Sequence, residues 1–579
     1  MTTMTEMPTE QEPRRPQRTI NWRGYLGPAL GALLLLYLTV FPLVWLLVGS
    51  FQEQTGPPPY PWTLGNYAAM YGTSSVYSTF VSSVVFAVGS SVLAFAIATA
   101  LAWLVERTDV RFRKAALPLV IAPLILPGVM LPIAWIFLLD PQAGYINVAI
   151  QSITGLDSGP FDIFSMPGMI WVQAVSEIPL AFLMMSAGFK LADPSLEESS
   201  MMTGASTMTT LRKITLPLVR PWGASVLLLL TIRSIESFEV PSIIGIPARV
   251  KVYTNQIYLA FSDSPPDYGG ASALAVGLLV LSIIGVWVYI ASSRDTNRFE
   301  TVSGKAFRSR QMELGRFRWI GSAAMAAYAV VVVALPILVI AWASLLPFFA
   351  RPSVDALDLV SFDNYRSLFA DNVVVDAFKN SLILGVLTAT IVTAFTATVA
   401  WIRHRSKLKG ARWLEFFAMV PIAVPGLVLG MGLIVMYVAL PLPIYGTIWI
   451  LLIAYVAKNL PYGMRTSSGS ITQLKAELEE AGSMSGGSWW QNFTRVTLPL
   501  LRPGLVAGWI YILIVSMREF STSILLVTGQ SNVLSVVVFT KFENGQVTAV
   551  AALGILMILM STVVIAIFYR VSNRVGIRV

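Results

Sequence analysis

Twelve stretches of this chain are long and apolar enough to cross a lipid bilayer, and they limit the possible folds more than any other feature. They run 25–51, 79–104, 116–139, 168–189, 222–247, 272–292, 319–347, 380–402, 413–438, 446–464, 504–527 and 548–569. A spanning helix needs about 20 mostly apolar residues. Backbone amides and carbonyls find no water in hydrocarbon, so each stretch is expected to be helical. A barrel would show alternating segments of about ten residues instead. Composition agrees, with 55% of the 579 residues hydrophobic and 12% charged, against about 25% charged in soluble domains. So few charges cannot cover a water-facing surface. The expected fold class is an all-α membrane protein with 12 transmembrane helices.

Charge sets the orientation. With the N-terminus inside, the inner segments hold 31 of the 40 Lys and Arg and the outer loops hold 6. That asymmetry places both termini in the cytoplasm of a cell (inner) membrane protein. It also accounts for the +9 net charge without nucleic acid, because the basic loops face anionic lipid headgroups. Residues 1–24 read as a disordered cytoplasmic tail. Tyr25–Phe51 is too long for a cleaved leader and reads as a retained first helix. The chain has no cysteine and one histidine, His404, in a basic inner segment. Disulfides, cysteine metal sites and cysteine nucleophiles are therefore excluded. No catalytic residue, cofactor or metal site is expected.

The sequence is internally duplicated. Asn66-Tyr67, Ala102-Trp103 and Pro127-Gly128 recur as Asn364-Tyr365, Ala400-Trp401 and Pro425-Gly426, an offset of 298. Pro179 and Leu216-Pro217 recur as Pro461 and Leu498-Pro499, an offset of 282, after a longer outer loop in the first half. The reading is a first repeat over 25–292, a cytoplasmic linker over 293–318 and a second repeat over 319–579. Six spans per repeat make the repeats parallel, related by an axis along the membrane normal.

The best-matched part of the repeat lies in the cytoplasm. Leu196 to Pro221 reads LEESSMMTGASTMTTLRKITLPLVRP, and Leu478 to Pro503 reads LEEAGSMSGGSWWQNFTRVTLPLLRP. The expected structure is a short helix, a turn, a second short helix and a stop. Glu197-Glu198 and Glu479-Glu480 suit the positive end of the first helix. Gly204 and Gly486 permit a turn or a close approach. Pro217 and Pro499 interrupt the second helix.

The spacing Glu-x5-Gly-x11-Leu-Pro, carried by Glu198, Gly204, Leu216 and Pro217 and again by Glu480, Gly486, Leu498 and Pro499, resembles the EAA loop of permeases in binding-protein-dependent ABC importers. Two such loops in one chain look like the fused ferric-iron and thiamine permeases. The resemblance implies a type I ABC importer permease fold and coupling helices seated on two copies of an ATPase subunit. It further implies a separate solute-binding protein on the outer face. Ferric iron is the leading cargo, with thiamine, polyamine or phosphonate as alternatives. Ser199-Ser200 and Ala481-Gly482 depart from the family's Ala-Ala, at about 0.5–1 kcal/mol each in helix propensity. No G-x-x-x-x-G-K-[ST] occurs, so ATP hydrolysis is expected on partner subunits.

Ionisable residues inside spans are functional candidates. Arg233, Glu236 and Glu239 fall in the fifth span, and Arg518 and Glu519 in the eleventh. Arg233 and Glu236 share a helix face and could pair. Glu236 matches Arg518 across the repeat, so opposite charges could meet near the axis. These residues read as a polar lining of a translocation path or as structural ion pairs. Glu177 and its match Asn459 read as bonds to neighbouring helices. Lys458 reads as a structural residue that snorkels toward the inner surface. Pro127 and Pro425 predict kinks. An ion-coupled secondary transporter could use the same carboxylates, but it leaves the paired loops unexplained, as does a non-transporting scaffold.

Overall fold

The computed structural model describes residues 23–54, 60–293, 312–406, 408, 410–440, 442–474, 477–486 and 488–574. The expected tail, residues 1–24, and the linker, residues 293–318, fall mostly outside these. Among the described residues there is no strand, only helices joined by loops and two isolated bridges.

Nine helices are long and apolar enough to span. They are α1 (Gly27–Ser50), α2 (Ser74–Arg107), α5 (Met166–Leu191), α6 (Thr207–Glu236), α7 (Tyr268–Ser292), α8 (Gly315–Ser344), α9 (Asn372–Arg405), α13 (Phe493–Met517) and α14 (Val547–Val564). Two further stretches are bent pairs, α3 (Arg113–Ile125) with α4 (Met130–Leu139), and α10 (Ala411–Ala423) with α11 (Gly426–Ala439). The remaining expected stretch is α12 (Ile448–Thr472), whose apolar start gives way to Lys458, Asn459 and Arg465. The described residues thus give nine spans, or eleven if each bent pair is one, and the expected count of 12 is not established. Serines in α2 turn inward on their own helix. Ser83, Ser90 and Ser91 each donate to the carbonyl four residues back, at 2.6–2.8 Å. This engages their hydroxyls on their own helix, and Ser83 Oγ also accepts from Tyr253 N at 2.8 Å.

The expected kinks are full breaks. Between α3 and α4 the chain bends by 96°, and between α10 and α11 by 107°. Both breaks have one cause. Leu126 and Val424, each preceding a proline, are extended with ψ 131 and ψ 110, as a following proline ring demands. Stretches 222–247 and 504–527 also differ from the expected continuous helices. α6 ends at Glu236 and α13 at Met517, both near the expected mid-membrane level, and short turns follow each.

The halves exchange their first helices. The second part of α1 packs on α11 of the other half, and the second part of α8 packs on α4. Close approach is built into the first of these contacts: a Cβ on Gly432 would stand 2.5 Å from the Pro42 carbonyl oxygen. Tyr37 and Tyr437 share a 2.5 Å hydroxyl hydrogen bond across it. At the end of the linker, Met312 N donates to Arg107 O at 2.9 Å, and Arg318 lies 3.6 Å from Asp109. Outward faces carry exposed Leu33, Phe80, Ile283 and Trp287, as helices that meet lipid require.

Candidate functional site

The four breaks converge. The turns at Leu126-Pro127-Gly128 and Val424-Pro425-Gly426 and the ends of α6 and α13 enclose a cavity of about 300 Å³. Of the five path candidates, Arg233, Glu236, Glu239 and Arg518 line it, together with Glu177 and Lys458. Glycines beside the prolines let charged groups approach the backbone. A Cβ on Gly426 would lie 2.7 Å from Lys458 Nζ, and one on Gly128 would lie 3.5 Å from Glu239 Cγ.

A buried aromatic pair lies directly behind the cavity lining, next to Ser237, Glu239 and Ser521, at the pseudo-two-fold. Phe238 and Phe520, related by the 282 offset, stack with centroids 5.5 Å apart and planes 16° apart, and neither is exposed. Their neighbours Glu239 and Ser521 stand at the same offset, and Ser521 Oγ donates to Glu239 Oε1 at 3.2 Å. The repeat axis therefore runs through this stack.

The charges pair differently from the sequence expectation. Arg233 bonds Glu177 on α5 at 3.0 Å, not Glu236 three residues on. Arg518 does not meet Glu236. It donates to the carbonyls of Leu124 and Leu126 at the first half's break. Glu519 does not line the cavity; it is 7% exposed and accepts from Lys458 Nζ at 2.7 Å. Lys458 therefore reaches inward to a carboxylate instead of snorkelling. Each half thus ties its α5 or α12 to the following α6 or α13 with one ion pair. The two pairs sit one residue apart on the first helix of each match. Among the described residues Glu236 and Glu239 are in no ion pair. The lining itself holds three acids and three bases, and Glu519 behind Lys458 adds a fourth acid, so with Glu177–Arg233 and Lys458–Glu519 paired, Glu236 and Glu239 stand against the Arg518 guanidinium.

The duplicated loops form a second constellation. Ser195–Met202 and Glu477–Met484 are helices with the Glu pairs in their first turns. Gly204 and Gly486 follow with φ +85 and +81, and a Cβ would meet nothing within 4 Å at either. They are turn residues, not close-approach residues. Gly482 is the close-approach residue: a Cβ there would stand 2.5 Å from Asn492 Oδ1, which accounts for one departure from Ala-Ala. The expected stop is absent. The second short helix runs through a π turn, Leu211–Thr215 or Phe493–Thr497, straight into the membrane helix that Leu216-Pro217 or Leu498-Pro499 begins. The wider turn accommodates a proline that brings no N–H donor.

Two arginines that the sequence reading counted only as inner charges hold these loops. Arg107 ends α2 and Arg405 ends α9, again at offset 298. Arg107 lies 3.5 Å from Glu197, with both side chains 3% exposed, and donates to the carbonyls of Phe189 and Ala192. Arg405 lies 3.4 Å from Glu479 and donates to Leu474 O at 2.6 Å. Thr215 and Thr497 complete the clasps, donating to Glu197 and Glu479 at 2.7 and 2.8 Å. The first Glu of each pair therefore points inward, while Glu198 is half-buried and Glu480 exposed.

A family model described as "Binding-protein-dependent transport system inner membrane component" matches residues 94–298 and again 399–577. The Ferric transport system permease protein FbpB of Actinobacillus pleuropneumoniae is 27% identical over 553 residues, covering 94% of this chain and 77% of the relative. The Putative ferric transport system permease protein FbpB 1 of Haemophilus influenzae is 29% identical over 422 residues, covering 71% of this chain and 64% of the relative. The Putative 2-aminoethylphosphonate transport system permease protein PhnV of Salmonella paratyphi A is 26% identical over 201 residues, covering 35% of this chain and 76% of the relative.

Proposed function

This chain belongs to the family of binding-protein-dependent transport system inner membrane components, and from that premise we propose that it is the ferric-iron permease of an ATP-driven importer. It is a multi-helix transport subunit. The observation that carries the cargo is extent. Similarity to a ferric permease runs over 94% of the chain, through both repeats. Similarity to the phosphonate permease covers 35% of this chain and 76% of that relative, which is about one repeat long and does not share the two-repeat form. The cavity supports the same choice, because the carboxylates of Glu236 and Glu239 suit a cation better than an anion.

In this reading a solute-binding protein docks on the outer face and delivers iron to the space between the breaks. Both termini lie in the cytoplasm. Two copies of an ABC ATPase subunit seat on the paired loops through Glu198, Gly204, Leu216 and Pro217 and through Glu480, Gly486, Leu498 and Pro499, and ATP hydrolysis takes place there. Glu197 and Glu479 anchor the loops from within. Arg233, Glu236, Glu239 and Arg518 line the path, and Glu519 positions Lys458.

The test is reconstitution in proteoliposomes with the ATPase and the binding protein. Radiolabelled ferric iron should accumulate only with ATP inside the cytoplasmic compartment, and 2-aminoethylphosphonate should not. Uptake of the phosphonate in place of iron would overturn the cargo. Iron uptake driven by an ion gradient without ATP would overturn the importer.

A further inference from the structure

A second cavity lies away from the path, and apart from Leu216 and Pro217 at its cytoplasmic end its lining has no role in the function proposed above. It is a groove of about 460 Å³ between α2 and α6, with α5 as its floor. Its apolar walls include Phe95, Met185 and Leu227, and its cytoplasmic end carries Arg212 and Arg220. Gly223 keeps it open: a Cβ there would stand 3.0 Å from Phe95 Cζ. No acidic side chain lines it. Arg212 and Arg220 are both exposed, and among the described residues neither is in an ion pair.

We propose that this groove binds one anionic phospholipid of the cytoplasmic leaflet, with the phosphate between Arg212 and Arg220 and an acyl chain along Phe95, Met185 and Leu227. Three observations choose this occupant. The groove lies along α2 and α6, both apolar enough to span, so hydrocarbon bathes its outer side. Leu227 is seven residues beyond Arg220 on one helix, roughly 10 Å at 1.5 Å per residue, a depth suited to the upper part of an acyl chain. The two guanidiniums offer a planar fork that matches phosphate oxygens and that a zwitterionic headgroup's own cation would oppose.

The shared fold does not require this site. At the repeat offsets the second half keeps Arg502 for Arg220 but has Thr393 for Phe95, Ser467 for Met185, Thr494 for Arg212 and Leu505 for Gly223. The second half therefore lacks the groove's shape and one of its two arginines. Leu216 and Pro217 also line the groove, so the lipid touches the return arm of the first cytoplasmic loop and not the second.

Lipid retention by the purified full-length chain tests the proposal independently of cargo and ATPase. Protein taken from nanodiscs of equal dioleoylphosphatidylglycerol and dioleoylphosphatidylcholine is released for native mass spectrometry. The wild type should keep one phosphatidylglycerol through purification. The double variant Arg212→Gln/Arg220→Gln should lose it by roughly tenfold or more, at about 1 kcal/mol per basic residue. Arg212→Lys/Arg220→Lys should keep part of it. Gly223→Leu, or Ala224→Trp should that variant fail to fold, fills the groove, leaves both arginines and should lose the lipid as well. Equal retention by the Gln variant, equal retention of phosphatidylcholine, or displacement by inorganic phosphate alone would each overturn the site.

Discussion

A guanidinium and a carboxylate sealed together at 3% exposure, as Arg107 and Glu197 are, depend on each other more than a surface pair does. Removing one partner from such a pair costs about 3–5 kcal/mol, because the other is left buried and charged. Arg107→Gln should therefore lower the thermal midpoint of the purified permease and weaken co-purification of the ATPase. Arg405→Gln should cost less, since its pair with Glu479 is 16% and 18% exposed and better screened. Comparing the two variants by thermal unfolding checks the order, and equal losses would show that burial is not what sets them. The same reasoning applies at Lys458 and Glu519. Lys458→Met alone should destabilise strongly, whereas Lys458→Met/Glu519→Leu should recover most of the loss, because an apolar pair leaves no buried charge. If the double variant is worse than the single, the pair contributes more than a tie between α12 and α13, and iron uptake by both variants would then separate path from packing. The sequence named every acid in these contacts, but it offered Arg233 the wrong partner and left Glu197, Glu479 and Glu519 without one. Arg233 has Glu236 one turn away on its own helix, yet Glu177 on α5 reaches it first. Which neighbouring helix lies closer is a property of packing that no spacing encodes.

Elements were legible where a local cause dominates. Apolar length marked each stretch, and Pro127 and Pro425 marked where two of them break. The size of the bends was not legible, because it depends on what fills the corner, here Arg518 donating to Leu124 and Leu126 from the other half. Gly204 and Gly486 were legible as a turn or a close approach, and the structure makes them turns. Both have positive φ with open space around them, so a side chain there adds conformational strain alone, roughly 1–2 kcal/mol each. Gly204→Val/Gly486→Val should leave the membrane level of the chain unchanged and reduce ATP-driven iron uptake about tenfold or more. Normal uptake by that variant would remove the loops from the mechanism. At its start, α9 is capped by Asp371, which accepts from Val373 N at 3.0 Å and also from Lys541 at 3.0 Å. The Lys541 ammonium holds its carboxyl below the usual range. A carboxyl lowered on folding stabilises the protein above its unfolded pKa, about 3.9, and loses that contribution as pH falls through the folded value. Lys541→Met should therefore cost up to about 1 kcal/mol at pH 7. The gap to wild type should close below about pH 4, read by thermal unfolding at both pH values. A gap unchanged in acid would assign the loss to packing of the lysine stem.

For the whole molecule, the exchange of first helices makes the two repeats one body, and Phe238 against Phe520 is where their axis is sealed. The pseudo-symmetry is close in backbone and loose in charge. Glu236 stands where the second half has Arg518, and Ser237 where it has Glu519. A strictly symmetric lining would place like charges across a narrow space, with mutual repulsion in a low dielectric. The mismatch avoids that and leaves a lining that leans to carboxylate. If the ion follows the axis, as the proposed function implies, alternating access requires the aromatic pair to part, because two stacked, fully buried rings leave no opening for it. The absence of cysteine from the chain makes this testable without background. Phe238→Cys/Phe520→Cys places two thiols across a contact whose ring centroids are 5.5 Å apart. A short bifunctional thiol reagent should stop iron uptake in the double variant, spare each single variant, and leave ATPase binding intact. A reductant-cleavable form of the reagent should restore uptake on reduction. Continued uptake by fully cross-linked protein would mean that the ion passes elsewhere, and that the stack is a fixed part of the core around which a different pair of helices must open.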